Sequence, residues 1–140
     1  MSDPHGPHAA ADPVGHLYDL AGEAGIADVV ERFYGRVRND DVIGPLYPPD
    51  DWEQAERRLR MFLVQRFGGP PQFSSERGHP RLRMRHAPFA IDERAAGRWI
   101  ELMTASLADA KAAGTIPAAF VDAALPFLRQ TAMFLINRPG

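Results

Sequence analysis

Apolar residues recur at helical spacing along most of this chain, in stripes cut apart by glycine and proline. The clearest stripe is Ile26, Val29, Val30, Phe33, Tyr34 and Val37, at i, i+3, i+4, i+7, i+8 and i+11. A second runs Ala55, Leu59, Phe62, Leu63 and Phe67 and stops at Gly68-Gly69-Pro70-Pro71. A third, Ala96, Trp99, Met103, Ser106, Leu107 and Ala110, fits a helix over 92–113 capped by Asp92 and ended by Gly114. The last is Phe120, Val121, Ala124, Leu128, Thr131, Ala132 and Leu135, opened by Pro117, with Pro126 expected to kink or split it. No segment alternates with period two for long enough to make a strand. The spacing predicts an all-α chain of about six to seven unequal helices without an internal repeat.

The connections are also legible. Leu17, Leu20 and Ala21 begin a short apolar pattern that Gly22 and Gly25 are expected to break. Asn39-Asp40-Asp41 stops the next helix, and Val42 to Pro49 leaves room for one helical turn, with Tyr47 pinned between Leu46 and Pro48. Asp50 or Asp51 is placed to cap the helix that follows. Residues 70–80 read as a loop. Arg81 to Ala87 can form a short helix that Pro88 halts, with Leu82, Arg85, His86 and Phe89 in one sector. Residues 1–15, rich in proline, read as a disordered tail ahead of one domain over 16–140.

Composition excludes several functions. The chain has no cysteine, so disulfides, thiolate metal sites and cysteine nucleophiles are ruled out. A net charge of −2 gives no general attraction to nucleic acid or anionic lipid. Fifteen of the sixteen basic residues are arginine, however, and eight lie between Arg57 and Arg85 with Glu76 as the sole acid among them. Arginine favours bidentate binding of carboxylate or phosphate. No apolar run reaches the roughly 20 residues of a membrane span, and the N-terminus lacks the apolar core of a signal peptide. A cytoplasmic protein with no nucleic-acid partner is expected.

No nucleophile elbow, zinc-protease helix, phosphate-binding glycine loop or calcium loop is present. His5, His8 and His16 lie in or beside the tail and read as solvated imidazoles. Within the domain, His79 and His86 remain. A lone histidine facing a core is more often structural than a ligand. Three features favour ligation at His86: large apolar residues able to line a cofactor slot; Tyr34, Tyr47 and Trp99 on or beside apolar faces with polar tips that need acceptors; and arginines around His86, where haem propionates would need cations. Together these describe a haem pocket. The competing readings are a haem-free helical interaction module and a bis-histidine haem with His79.

The chain closely resembles the truncated haemoglobins of the second group, the haemoglobin O type of actinobacteria. The resemblance is carried by Arg32-Phe33-Tyr34, Pro45-Leu46-Tyr47-Pro48, the run Glu56 to Leu63, Gly68-Gly69-Pro70, the run Arg77 to Phe89, and Trp99. It covers about residues 17–137. It implies a two-over-two α-helical sandwich around non-covalently held haem b. His86 takes the proximal metal-ligand position, and Tyr34, Tyr47 and Trp99 the distal positions. Ala55 matches the small residue past which ligand can enter. Leu59, Phe62 and Leu63 match haem-contacting positions, and Arg58 and Arg85 match propionate partners. Phe89 and Met103 complete the expected cofactor-binding set. Gly22, Gly25, Gly68 and Gly69 resemble the helix-breaking glycines of so short a globin.

The resemblance implies reversible binding of O2, and of CO and NO, at ferrous iron, with distal hydrogen bonds slowing O2 release. Oxygen binding or transport is the first function expected. A redox enzyme on the same haem, an NO dioxygenase or a peroxidase drawing on an external reductase, is the alternative. A homodimer is compatible with the family.

Overall fold

The computed structural model describes residues 12–139. His5 and His8, and most of the expected tail, lie outside the described residues. The chain is already packed at its first described turn, where Val14 is fully buried.

Six α-helices and one 3-10 turn follow in order: α1 Leu17–Val37, the turn Gly44–Leu46, α2 Trp52–Arg66, α3 Gln72–Arg77, α4 Leu82–His86, α5 Glu93–Ala112 and α6 Ala118–Phe134. No strand forms among the described residues. The four long helices are those with the apolar stripes. They pack as two pairs, α1 on α2 and α5 on α6, with α1 lying across both members of the second pair. Their stripes meet in one core, where Phe33, Phe67, Phe120, Met103 and Leu107 are among the fully buried side chains. Truncating a buried phenylalanine such as Phe33 to alanine costs about 3–5 kcal/mol, because a cavity is left as well as lost transfer energy.

The two glycines at the start of α1 behave differently from each other. Gly22 adopts φ 67°, ψ 177° and interrupts the helix, a conformation that a Cβ disfavours. Gly25 does not break the helix, contrary to expectation. It is buried within α1, where an added Cβ would lie 2.7 Å from the Thr115 carbonyl oxygen. It is glycine because the α5–α6 connection approaches the backbone there.

Three other expectations need correction. Residues 72–77 are helical rather than a loop. Pro71 occupies the N-cap, and Gln65 on α2 bonds both the backbone and the hydroxyl of Ser74. This places Phe73 inside, edge-on to Phe62 at 5.9 Å. Asp51 stands at the N-cap of α2 without capping it; its carboxylate takes the Arg58 guanidinium instead, at 2.5 Å. Pro126 does not divide α6, which runs on to Phe134. Asp92, by contrast, caps α5 as expected, accepting the Ala95 amide at 2.8 Å.

No described helix is long and apolar enough to cross a membrane.

Candidate functional site

The helices enclose a cavity of about 470 Å³ whose walls come from α1 to α6. This lies within the roughly 300–1,000 Å³ usual for cofactor sites. Of the residues singled out from the sequence, Tyr34, Tyr47, Ala55, Arg58, Leu59, Phe62, Leu63, Arg85, His86, Phe89 and Trp99 line it. Met103 does not. Its side chain is turned fully into the core beneath. A helical stripe is wider than the part of it that meets a cavity, so the i+4 neighbour of Trp99 serves packing.

His86 sits at the end of α4, half-buried. Its Nδ1 lies 2.7 Å from the carbonyl oxygen of Leu82, one turn earlier. A carbonyl can only accept, so Nδ1 carries the proton and Nε2 keeps its lone pair. That is the nitrogen a metal needs, with the tautomer fixed by the outer partner. His79 lines no part of the cavity. It is exposed, and its Nδ1 accepts the Arg81 amide at 3.2 Å, supporting a turn in which Arg81 takes φ 42°. The bis-histidine reading therefore loses its second ligand. His16 is exposed, and no group of His, Asp or Glu suited to a metal ion occurs among the described residues.

Another wall is aromatic. The Tyr34 and Tyr47 rings meet edge-on at 5.7 Å, and Phe33 holds Trp99 at 5.0 Å. Burial pushes the Tyr34 phenol well up, and the neighbouring Tyr47 adds to this. Burial also raises Tyr47, opposed by the nearby polar groups of Tyr34 and Trp99 and by the Arg58 charge. Both phenols therefore keep their protons at neutral pH. Two hydroxyls and one indole N–H therefore lie along one wall of the cavity as potential donors. Trp52, which the sequence reading passed over, stacks on Tyr47 at 5.3 Å and 25°. The available signal was its place just after the tyrosine–proline turn.

Asp40 builds the loop that delivers Tyr47. Its carboxylate accepts the amides of Val42 and Ile43 and the Nε of Arg98, the last at 2.6 Å. The Ile43 amide first, with Arg98 and the Val42 amide, holds this carboxyl below its ordinary value against the opposing effect of burial. A depressed carboxyl stabilises the fold above the unfolded value, near 3.9, and that contribution is lost as pH falls through the folded value. Asp40→Asn is expected to melt earlier than wild type at pH 7. The gap should close in acid, below about pH 4. Melting curves from pH 7 to pH 2.5 check this, and a gap that stays constant would contradict it.

Three guanidinium groups, Arg58, Arg77 and Arg85, border the cavity. Arg58 is paired with Asp51. Arg85 donates to the backbone carbonyls of Pro80, Arg77 and His79. Arg77, absent from the sequence-derived set, has no carboxylate in ion-pair reach among the described residues. Desolvation, then the like charges of Arg85 and Arg58, pull its pKa down. Three cations with one carboxylate between them leave unmet positive charge at the rim. An apolar slot, one imidazole with a free Nε2 and this cationic edge suit an iron porphyrin bearing two carboxylates.

Comparison with known proteins identifies the family. The family model for bacterial-like globins matches residues 16–133. The group 2 truncated hemoglobin YjbI of Bacillus subtilis is 41% identical over 86 residues, covering 61% of this chain and 64% of that protein's length. Two-on-two hemoglobin-3 of Arabidopsis thaliana is 34% identical over 123 residues, covering 86% of this chain and 69% of that protein. Among solved structures, the thermostable hemoglobin of the actinobacterium Thermobifida fusca superposes with a TM-score of 0.82 at 38% identity, over 89% of this chain and 99% of that one. The group II truncated hemoglobin of Bacillus anthracis gives 0.82 at 29% identity, over 92% and 95%. Globins carry haem and bind small gaseous ligands. This chain belongs to the bacterial-like globin family, as a truncated haemoglobin of the second group with the two-over-two helical fold.

Proposed function

We propose that this protein holds haem b through His86 Nε2 and binds O2 reversibly, with CO and NO as further ligands. The observation that carries the reading is the 2.7 Å contact of His86 Nδ1 with the Leu82 carbonyl, made in a cavity with three proton-bearing aromatics on another wall. Haem, when bound, supplies a ferrous iron with one coordination position open to a diatomic gas.

The side chains do the rest. His86 is oriented before it meets metal. Leu59, Phe62, Leu63, Phe73 and Phe89 keep water from the macrocycle faces. Ala55 leaves a gap through which gas can pass. Arg77 is the readiest partner for a propionate, since Arg58 and Arg85 already have partners. Tyr47, Tyr34 and Trp99 donate toward the gas, which favours O2 over CO because the outer atom of O2 carries more negative charge.

An absorption spectrum of the reduced protein, alone and under O2 and CO, tests this. A Soret band that shifts with each gas and returns on its removal is expected. A preparation that stays colourless after haem supplementation would favour the haem-free helical module. The cluster of three proton donors on one wall favours a second reading, turnover of NO or peroxide with an external reductase. NO consumption by the oxygenated protein in the presence of a reductant is its test.

A further inference from the structure

The helix that carries His86 is poorly anchored by itself. α4 has five residues and buries none of them. Its N-cap, Arg81, is left-handed and makes no side-chain cap. A helix this short has no intrinsic stability, so its position must be imposed from outside.

The C-terminal segment imposes it. Beyond α6, the Asn137 side chain reaches back to the loop after α4. Its Nδ2 donates to the Phe89 carbonyl at 2.9 Å and to the His86 carbonyl at 3.2 Å. Its Oδ1 accepts the Ile91 amide at 3.0 Å. The amides of Asn137 and Arg138 both donate to the Ile91 carbonyl, at 2.8 and 3.1 Å. Arg83 on α4 donates in turn to the Ile136 carbonyl at 3.4 Å, and its guanidinium lies over the Phe134 ring at 5.6 Å. A primary amide uses both donor protons and its oxygen here, so the fit is specific to asparagine: aspartate lacks the donors and leucine lacks everything. The anchored residue is His86 itself, through its own carbonyl.

We propose that Asn137 is a positioning residue for the axial histidine, clamping the backbone on the C-terminal side of His86 while the Leu82 carbonyl orients its ring. This rests on the reading of His86 as the haem ligand. The two contacts divide the task. Leu82 fixes which nitrogen faces the metal, and Asn137 fixes where the residue's backbone stands. The clamp comes from the last turn beyond α6, so the C-terminal segment is part of the proximal side of the site.

Full-length Asn137→Ala and Asn137→Asp test this. The aspartate variant keeps the size and the acceptor for Ile91 but removes both donors, so it isolates the clamp if alanine fails to fold. Two measurements are made. The first is amide hydrogen exchange over residues 82–91 in the haem-free protein, expected to be about tenfold faster than wild type if one or two bonds worth about 1 kcal/mol each are lost. The second is the iron–histidine stretching band of the ferrous haem protein by resonance Raman, expected to shift or broaden, with haem passing to an acceptor globin roughly ten times faster. A general loss of stability would speed exchange everywhere and leave the band in place. Wild-type exchange over 82–91 and an unmoved band in the aspartate variant would overturn the proposal. If wild type takes up no haem, the ligation reading fails alone, and the haem-free exchange measurement still decides the clamp.

Discussion

His86→Ala is expected to remove the iron–imidazole stretching band from the ferrous protein and to weaken haem retention by at least roughly a hundredfold. Outer-shell partners of metal-bound histidines are already worth about 10- to 100-fold in affinity, and the ligand itself cannot be worth less. Among the described residues no other imidazole is placed to substitute. His79 is exposed, lines no part of the cavity and is engaged by the Arg81 amide. Tyr34 and Tyr47, held protonated by burial, are poor anionic ligands. The deletion leaves a gap that exogenous imidazole can fill, so millimolar imidazole should restore a wild-type-like spectrum. Because His86 is half-buried and lines the cavity rather than the core, the variant should still fold. A His86→Ala protein with an unchanged spectrum in the absence of added imidazole would contradict the assignment.

The long helices were legible because burial of one face is what makes them helices. The stripe of α1 from Ile26 to Val37 is the same set of residues that meets the core. Asp92 was legible as a cap for a local reason, since its partner amide lies three residues on. The features that escaped depend on contacts distant in sequence. α3 is six residues long, too short for a period, and is fixed by Gln65 from the preceding helix; consecutive prolines were a usable sign of a helix start. Asp50 or Asp51 is the cap that the local sequence offers, but Asp51 pairs with Arg58 instead. Met103 shares a stripe with Trp99, and only the tertiary arrangement separates the residue facing the cavity from the one facing the core. Arg58 and Arg85 match a sequence motif, yet Arg77 is the rim guanidinium with neither an acid nor a carbonyl partner among the described residues, which no linear pattern records. The Leu82 partner of His86 was within reach of the sequence, because the predicted helix already placed the two residues one turn apart.

The distal wall offers the other large effect. Replacing Tyr34, Tyr47 and Trp99 together, each by phenylalanine, is expected to speed O2 release by roughly 30- to 150-fold. Two to three neutral hydrogen bonds at about 1 kcal/mol each amount to about 2–3 kcal/mol, and about 1.4 kcal/mol is tenfold. The single variants should not divide this evenly. Tyr34 and Tyr47 meet edge-on at 5.7 Å and line the cavity together with Trp99, so a donor lost from one can be replaced by its neighbour. Tyr47→Phe deletes one donor and leaves the Tyr34 O–H and the Trp99 N–H to turn to the gas in its place. Trp99→Phe removes another and leaves the two hydroxyls. Each single change should therefore raise the off-rate by less than about tenfold. The Tyr47→Phe, Trp99→Phe double variant should exceed the product of the two, since each single change leaves a neighbour to compensate and the double change removes both. CO release should move less across the series, because its outer atom attracts these donors more weakly. Stopped-flow release of both gases from the four proteins measures the coupling. Strictly multiplicative effects would mean that the three side chains donate independently, with none replacing another.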